Sequence, residues 1–79
     1  MANTSKQQMW EHRVAQFLKA ELKRANVTYE ELAERLEKQG MDETKASIAS
    51  KLSRGTFAAT FFLATLAAIG VESVRLGDI

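Results

Sequence analysis

The sequence VTYEELAERLEKQGMDETKASIASKLSRG, residues 27–55, determines the fold, because it contains two short helical patterns separated by a glycine. Thr28 followed three residues later by Glu31 matches a capping box. A helix is therefore predicted to begin at Tyr29, directly after Thr28, and to run to about Gln39. Gly40 can adopt the left-handed conformation that ends a helix. A second helix after it would complete the arrangement of a helix-turn-helix.

The second helix of the pair, predicted over residues 43–53 with Asp42 as its N-cap and Gly55 at its end, has a narrow apolar edge. On a wheel of roughly 100° per residue, one arc holds Ile48, Ala49 and Leu52. The opposite arc collects small, hydroxylated and charged residues: Glu43, Ala46, Ser47, Ser50 and Arg54, with Lys51 at its edge. Small side chains let a helix approach DNA closely, and hydroxyls and cations can bond base edges and phosphates. This face therefore predicts a recognition helix.

A longer amphipathic helix is predicted before this pair, from about Gln7 to Arg24. Apolar residues recur there every four positions and form one face: Trp10, Val14, Leu18 and Leu22, with Phe17 beside them. Residues 1–6 are expected to be a frayed terminus. Proline is absent and helix formers dominate, so the chain is predicted to be all-α. We expect one compact bundle of four to five helices, in a single domain over residues 7–79.

A fourth helix is predicted over residues 57–69, with Thr56 as its cap and Gly70 at its end. Its apolar side chains extend nearly around the helix, as in an element that is buried on all sides. Two interpretations remain open: a central helix with Phe57, Phe61 and Leu66 in the core, or a homodimer interface formed by Phe62, Leu63 and Leu66. The tail has room for one short turn or helix, in which Val74 and Leu76 are expected to pack back.

Length and composition narrow the class of protein. The chain has 79 residues, which suit one domain. Cysteine is absent, which excludes disulfides and is typical of a reducing compartment. No apolar run is long enough to span a bilayer and no signal peptide is visible, so we expect a cytoplasmic protein without a membrane partner. The net charge of +1 gives no overall field for nucleic acid, so such binding would need local charge.

Catalysis finds little support in the sequence. The only histidine, His12, lies beside Glu11, and no nucleophile, carboxylate pair or glycine-rich phosphate loop accompanies it. The HExxH and GxGxxG patterns are absent, as is the phosphate-binding GxxxxGK pattern. We therefore expect a protein that is not an enzyme, with no cofactor, no metal and no small-molecule substrate.

Three segments of the chain resemble a known family. VTYEELAERL, ASIASKLSRG and FFLATLAAIGVESVRL are similar to the lambda-repressor-like, Xre-type helix-turn-helix domain, in which a Leu-Ala pair lies in the second helix and a leucine-rich helix ends in Gly-Val. Residues 27–62 also resemble a small bacterial family known only as a domain of unknown function. Together the two resemblances cover about residues 18–76. The third helix begins about six residues later than in the Xre pattern, so either the second helix gains a turn or the connection becomes a loop.

The resemblance implies a dimeric transcription regulator that binds double-stranded DNA. By position, base contacts would fall on Lys45, Ser47, Ser50 and Lys51, and phosphate contacts on Thr28, Tyr29 and Arg54. Dimers on paired half-sites are the usual way for such small modules to reach useful affinity. The alternative is a protein-interaction or oligomerisation module that keeps the helix pair without binding DNA. The near-neutral charge and the apolar fourth helix favour that alternative.

Overall fold

The computed structural model describes residues 5–79, which form a bundle of four α-helices. The helices are α1 (Ser5–Ala25), α2 (Tyr29–Lys38), α3 (Lys45–Arg54) and α4 (Ala59–Ala68), followed by a short 3₁₀ helix (Leu76–Asp78). Residues 5–79 contain no strand, so the predicted all-α class is confirmed. Most of the predicted frayed terminus lies outside the described residues, and α1 begins at Ser5 rather than at about Gln7.

The ends of the helices show most of the predicted caps. The Thr28 hydroxyl accepts a hydrogen bond from the Glu31 N–H at 3.1 Å, and the Glu31 carboxylate accepts one from the Thr28 N–H at 2.9 Å. Left-handed backbone conformations occur at Gly40, Gly55 and Gly70, with φ of 85°, 73° and 83°. These positions were predicted because local hydrogen bonds and the freedom of glycine determine them.

Two predicted helix starts are wrong. α3 begins after Thr44 rather than after Asp42, because Thr44 and Ser47 form a second capping box. The Ser47 N–H donates to the Thr44 hydroxyl at 3.0 Å, and the Thr44 N–H donates to the Ser47 hydroxyl at 2.8 Å. α4 begins after Ala58 without a side-chain cap. Thr56, the predicted cap, instead accepts a hydrogen bond from the side chain of Arg54 at 3.4 Å.

The core brings together the apolar edges of all four helices. Its buried members are Leu18, Leu22, Val27, Leu32, Leu36, Ile48, Leu52, Phe61 and Leu66. α3 packs on both α1 and α2, and α4 packs on α2. Phe17 of α1 also meets Phe62 of α4, with their ring centroids 6.3 Å apart. Burying each such side chain contributes about 1.5–3 kcal/mol, so Ile48 and Leu52 hold α3 firmly by one edge.

The end of α3 lies directly against the backbone of α1. Gly55 is buried, and a Cβ atom built on it would lie 2.2 Å from the carbonyl oxygen of Glu11. Real Cβ atoms do not come that close to another heavy atom. Only glycine at position 55 therefore allows the end of α3 to lie this close to the backbone of α1 at Glu11.

α4 and the tail leave some apolar surface uncovered. Phe61 and Leu66 are buried, as the central-helix interpretation predicted, and Phe62 is half-buried. Leu63 is 61% exposed. Val74 packs on the core, but Leu76 is 71% exposed and does not pack back as predicted.

Within residues 5–79, no helix has both the length and the apolar composition needed to cross a bilayer.

Candidate nucleic-acid interface

The connection between α2 and α3 is a loop over residues 39–44, not an extra helical turn. The Met41 N–H donates to the Leu36 carbonyl at 3.0 Å, and the Met41 side chain packs against the core. Glu43, near the other end of the loop, is bonded to α3 through Lys51 at 2.6 Å. The loop is therefore anchored on both sides of Asp42, so it holds α3 in a defined position on the other two helices.

The outer face of α3 consists of small residues between cations. Its exposed members are Lys45, Ala46, Ala49, Ser50, Ser53 and Arg54. Ala49 was predicted in the buried arc and is exposed, because the arc covered by α1 and α2 is narrow and centred between Ile48 and Leu52. Sequence reasoning did not single out Ser53. The small residues recur at positions i, i+3, i+4 and i+7, and this spacing could have identified the face.

Glu43 does not lie on this face. It precedes α3, and its side chain is only 7% exposed. Its carboxylate accepts hydrogen bonds from Lys51 Nζ at 2.6 and 2.7 Å and from the Ser47 hydroxyl at 2.7 Å. Two residues predicted to contact bases, Ser47 and Lys51, are therefore engaged within the protein. Lys51 Nζ also lies 5.2 Å from the centroid of the Phe61 ring, which places it over the core.

The pKa of Glu43 reflects this contact and predicts a pH dependence. Burial raises the pKa of the carboxyl, but the hydrogen bonds from Lys51 and Ser47 and the charge of Lys51 outweigh it, so the pKa lies below its usual value of 4.5. The stabilisation of the fold by the ionised Glu43 carboxylate is fully present above pH 4.5. It is lost as the pH falls through the lower pKa that this carboxyl has in the folded protein. We expect Glu43→Gln to lower the free energy of unfolding by about 1–3 kcal/mol at neutral pH and by much less at low pH.

Urea unfolding at pH 7 and at low pH measures this difference. Glu37→Gln is the matched control, because Glu37 is exposed on α2. An equal loss of stability at both pH values for Glu43→Gln would contradict the assigned role of its ionised carboxylate.

The other residues predicted to contact DNA differ in whether their side chains are free to do so. Arg54 is exposed and donates a hydrogen bond to the Ser50 hydroxyl, so its guanidinium lies along the outer face. Lys45 is exposed as well, and its side chain makes no hydrogen bond or ion pair with any residue in 5–79. At the start of α2, the Thr28 hydroxyl is occupied by its cap, and Tyr29 is half-buried against the core.

Charge is separated between the two helices of the pair. α3 carries three cationic residues and no acidic one, although Lys51 is neutralised by Glu43. α2 carries four glutamates and two cationic residues. The nearly neutral chain thus has a locally positive surface at α3, which is the local charge that binding of a polyanion would require.

Comparisons with known proteins give one family. A family model described as Domain of unknown function (DUF6471) matches residues 10–74, which include α2, α3, α4 and most of α1. No curated protein and no solved structure gives a significant match. The predicted resemblance to a domain of unknown function is confirmed, and the likeness to the Xre-type domain stays a prediction.

Proposed function

We propose that this chain, which belongs to the family described as Domain of unknown function (DUF6471), binds double-stranded DNA through the outer face of α3. In this proposal it is a sequence-specific transcription regulator of Xre-like type that acts as a homodimer. The observation that carries the proposal is the composition of the α3 face. Small side chains lie between Lys45 and Arg54, and no acidic residue occurs anywhere in the helix.

The small residues suit a helix that enters the major groove. The groove is about 12 Å wide and admits an α-helix, and short side chains bring the helix backbone close to the base edges. Ser50 and Ser53 are exposed and carry hydroxyls that can donate to or accept from bases. Lys45 and Arg54, at the two ends of the helix, can reach phosphates or a guanine edge.

Dimerisation would supply the second half-site contact that so small a module needs. Phe62 and Leu63 remain the candidate interface residues, since Leu63 is 61% exposed and Phe62 is half-buried. Leu66, the third predicted interface residue, is only 5% exposed and belongs to the protein's own core. The proposed interface therefore uses Phe62 and Leu63 and leaves Leu66 out.

The proposal is tested by titrating the protein against a mixed-sequence duplex at several salt concentrations. We expect the affinity of the dimer to fall by about 150- to 1,800-fold between about 50 and 200 mM salt if each protomer neutralises two or three phosphates. Arg54→Ala should weaken binding and reduce the logarithmic salt slope by about 1.8 if each Arg54 of the dimer contacts one phosphate, because both protomers lose the contact. If it reads guanine instead, the change should relax one base position by about 1–3 kcal/mol.

Lys38→Ala is the matched control, because Lys38 is an exposed cation on the acidic helix α2. It removes the same charge outside the proposed interface and should leave the salt slope unchanged. Absence of duplex binding at the lowest salt concentration would refute the proposal. An Arg54→Ala protein with unchanged affinity, specificity and salt slope would refute the role given to Arg54.

The second candidate is a protein-interaction or oligomerisation module. Four large apolar side chains are exposed and favour it: Met9 and Trp10, each 46% exposed, Leu63 at 61% and Leu76 at 71%. Both functions predict self-association, so a monomer–dimer measurement does not separate them. The duplex titration does, because only the first candidate predicts salt-dependent binding to DNA.

A further inference from the structure

A cleft of about 730 Å³ lies between α1 and the C-terminal segment, residues 71–79. No residue of α3 lines it, so it is separate from the proposed DNA-binding face. Its volume falls in the range of about 300–1,000 Å³ that is usual for small-molecule sites. Phe17, Val71 and Val74 supply apolar surface, and three arginines also line it: Arg13 and Arg24 of α1 and Arg75 of the C-terminal segment.

Two of these arginines have unused donors. Arg13 donates through Nε to the main-chain oxygen of Ile79 at 2.6 Å and lies over the Trp10 ring, and its terminal N–H groups have no acceptor in residues 5–79. Arg75 is exposed, and its side chain has no hydrogen bond or ion pair within the described part of the chain. Arg24 differs, because it pairs with Glu21 at 2.8 Å. Arg13 of α1 and Arg75 of the C-terminal segment both line the cleft, so their free N–H donors can bind an added acceptor.

We propose that this cleft binds a small amphipathic anion, whose acidic group is held by Arg13 and Arg75 and whose apolar body lies on Phe17, Val71 and Val74. Guanidinium groups bind carboxylate, sulfonate and phosphate oxygens through paired N–H donors, so the recognised chemistry is an oxyanion attached to an apolar group. The apolar lining distinguishes this ligand from a simple inorganic ion. This inference does not rest on the proposed DNA binding.

The electrostatic balance of the cleft limits the ligand to a low charge. Asp78 also lines the cleft, and its side chain has no ionic partner within residues 5–79. Its carboxylate opposes an anion, whereas Glu21 is already neutralised by Arg24. His12 lines the same cleft and is exposed. Removing Asp78 should therefore strengthen the binding of an anion, while removing Arg75 should weaken it.

A pair of fluorescent probes tests the proposal. Anilinonaphthalene sulfonate has an apolar body and one anionic group, and phenylnaphthylamine has the same ring system without the sulfonate. Binding is followed by probe fluorescence and by Trp10, the only tryptophan of the chain. Trp10 reports on the site because the Arg13 guanidinium lies 4.3 Å from the centroid of its ring. We expect the sulfonate to bind at one site per chain.

Charge variants locate the bound sulfonate. Arg75→Gln should weaken its binding by about three- to tenfold, and Asp78→Asn should tighten it by about two- to fivefold. Neither change should alter the binding of the neutral probe. Lys19→Gln is the matched control for the lost positive charge and Glu34→Gln for the lost negative charge, because both residues are exposed and lie outside the cleft.

Two results would overturn the inference. One is the absence of sulfonate binding. The other is sulfonate binding that Arg75→Gln and Asp78→Asn leave unchanged, which would place the probe on exposed apolar surface instead, such as that around Leu76. Neither result bears on the duplex titration, since the variants used there lie on α2 and α3.

Discussion

Replacing Gly55 with alanine is expected to lower the free energy of unfolding by about 2–5 kcal/mol. The left-handed conformation, with φ of 73°, costs a non-glycine residue about 1–2 kcal/mol. The added Cβ would also meet the Glu11 carbonyl oxygen at 2.2 Å, and a backbone atom of a 21-residue helix cannot turn aside as a flexible side chain can. To relieve this clash, α1 and the end of α3 would have to move apart, and such overpacking costs about 1–3 kcal/mol.

Gly40→Ala is the matched control for this prediction. Gly40 has a φ of 85°, but a Cβ built on it meets no atom within 4 Å. This substitution should cost only the conformational part, about 1–2 kcal/mol. Urea unfolding of the two variants measures the difference. Equal losses of stability would mean that α3 does not end against the backbone of α1.

Ala49→Glu is expected to reduce DNA affinity by about 100-fold or more while leaving the fold intact. Ala49 lies on the outer face of α3 and is exposed, so a longer side chain there meets solvent in the free protein. Substitutions at such sites usually change stability by less than about 0.5 kcal/mol. In the proposed complex, however, the new carboxylate would face the phosphates and the base edges. Such like-charge contacts cost several kcal/mol, and each 1.4 kcal/mol is about tenfold in affinity.

Ala25→Glu is the control for the added charge, because Ala25 is an exposed alanine at the end of α1 and is not part of the α3 face. Circular dichroism and urea unfolding should show that both variants are folded. Duplex titration then compares their affinities at one salt concentration. If Ala49→Glu bound DNA as tightly as the wild type, the outer face of α3 would not be the binding surface.

Sequence reasoning located the features that short-range chemistry controls. The capping box of Thr28 and Glu31 and the left-handed glycines depend on residues that are neighbours in the chain. The same holds for the positions of α1 and α2, whose apolar periodicity is regular. Such features are predictable because the competing conformations differ by local hydrogen bonds and backbone freedom.

The errors arose where distant contacts decide the outcome. Asp42 and Thr44 are both good caps, and nothing local shows that Glu43 will turn inward to Lys51, which favours the start at Thr44. The burial of Ala49 was mispredicted because a helical wheel gives the direction of a side chain but not the width of the surface that covers it. The clash at Gly55 was likewise unpredictable, since Glu11 approaches it only in the folded chain.

The candidate site was predictable in outline but not in detail. The α3 face was recognised from its small and cationic residues, and Ser50 and Arg54 lie on it. The prediction could not show that Ser47 and Lys51 are occupied by Glu43, because that network joins a loop to a helix in three dimensions. The result is a smaller and less charged face than the sequence suggested.

The anchored loop between α2 and α3 also provides an attachment point for a spectroscopic probe. Met41 packs against the core and Glu43 bonds to Lys51, whereas Asp42 between them is exposed. The chain has no cysteine, so Asp42→Cys would introduce its only thiol. A spin label or fluorophore attached there would lie between two residues that contact the rest of the protein. Changes in its signal on adding DNA would report a shift between α2 and α3.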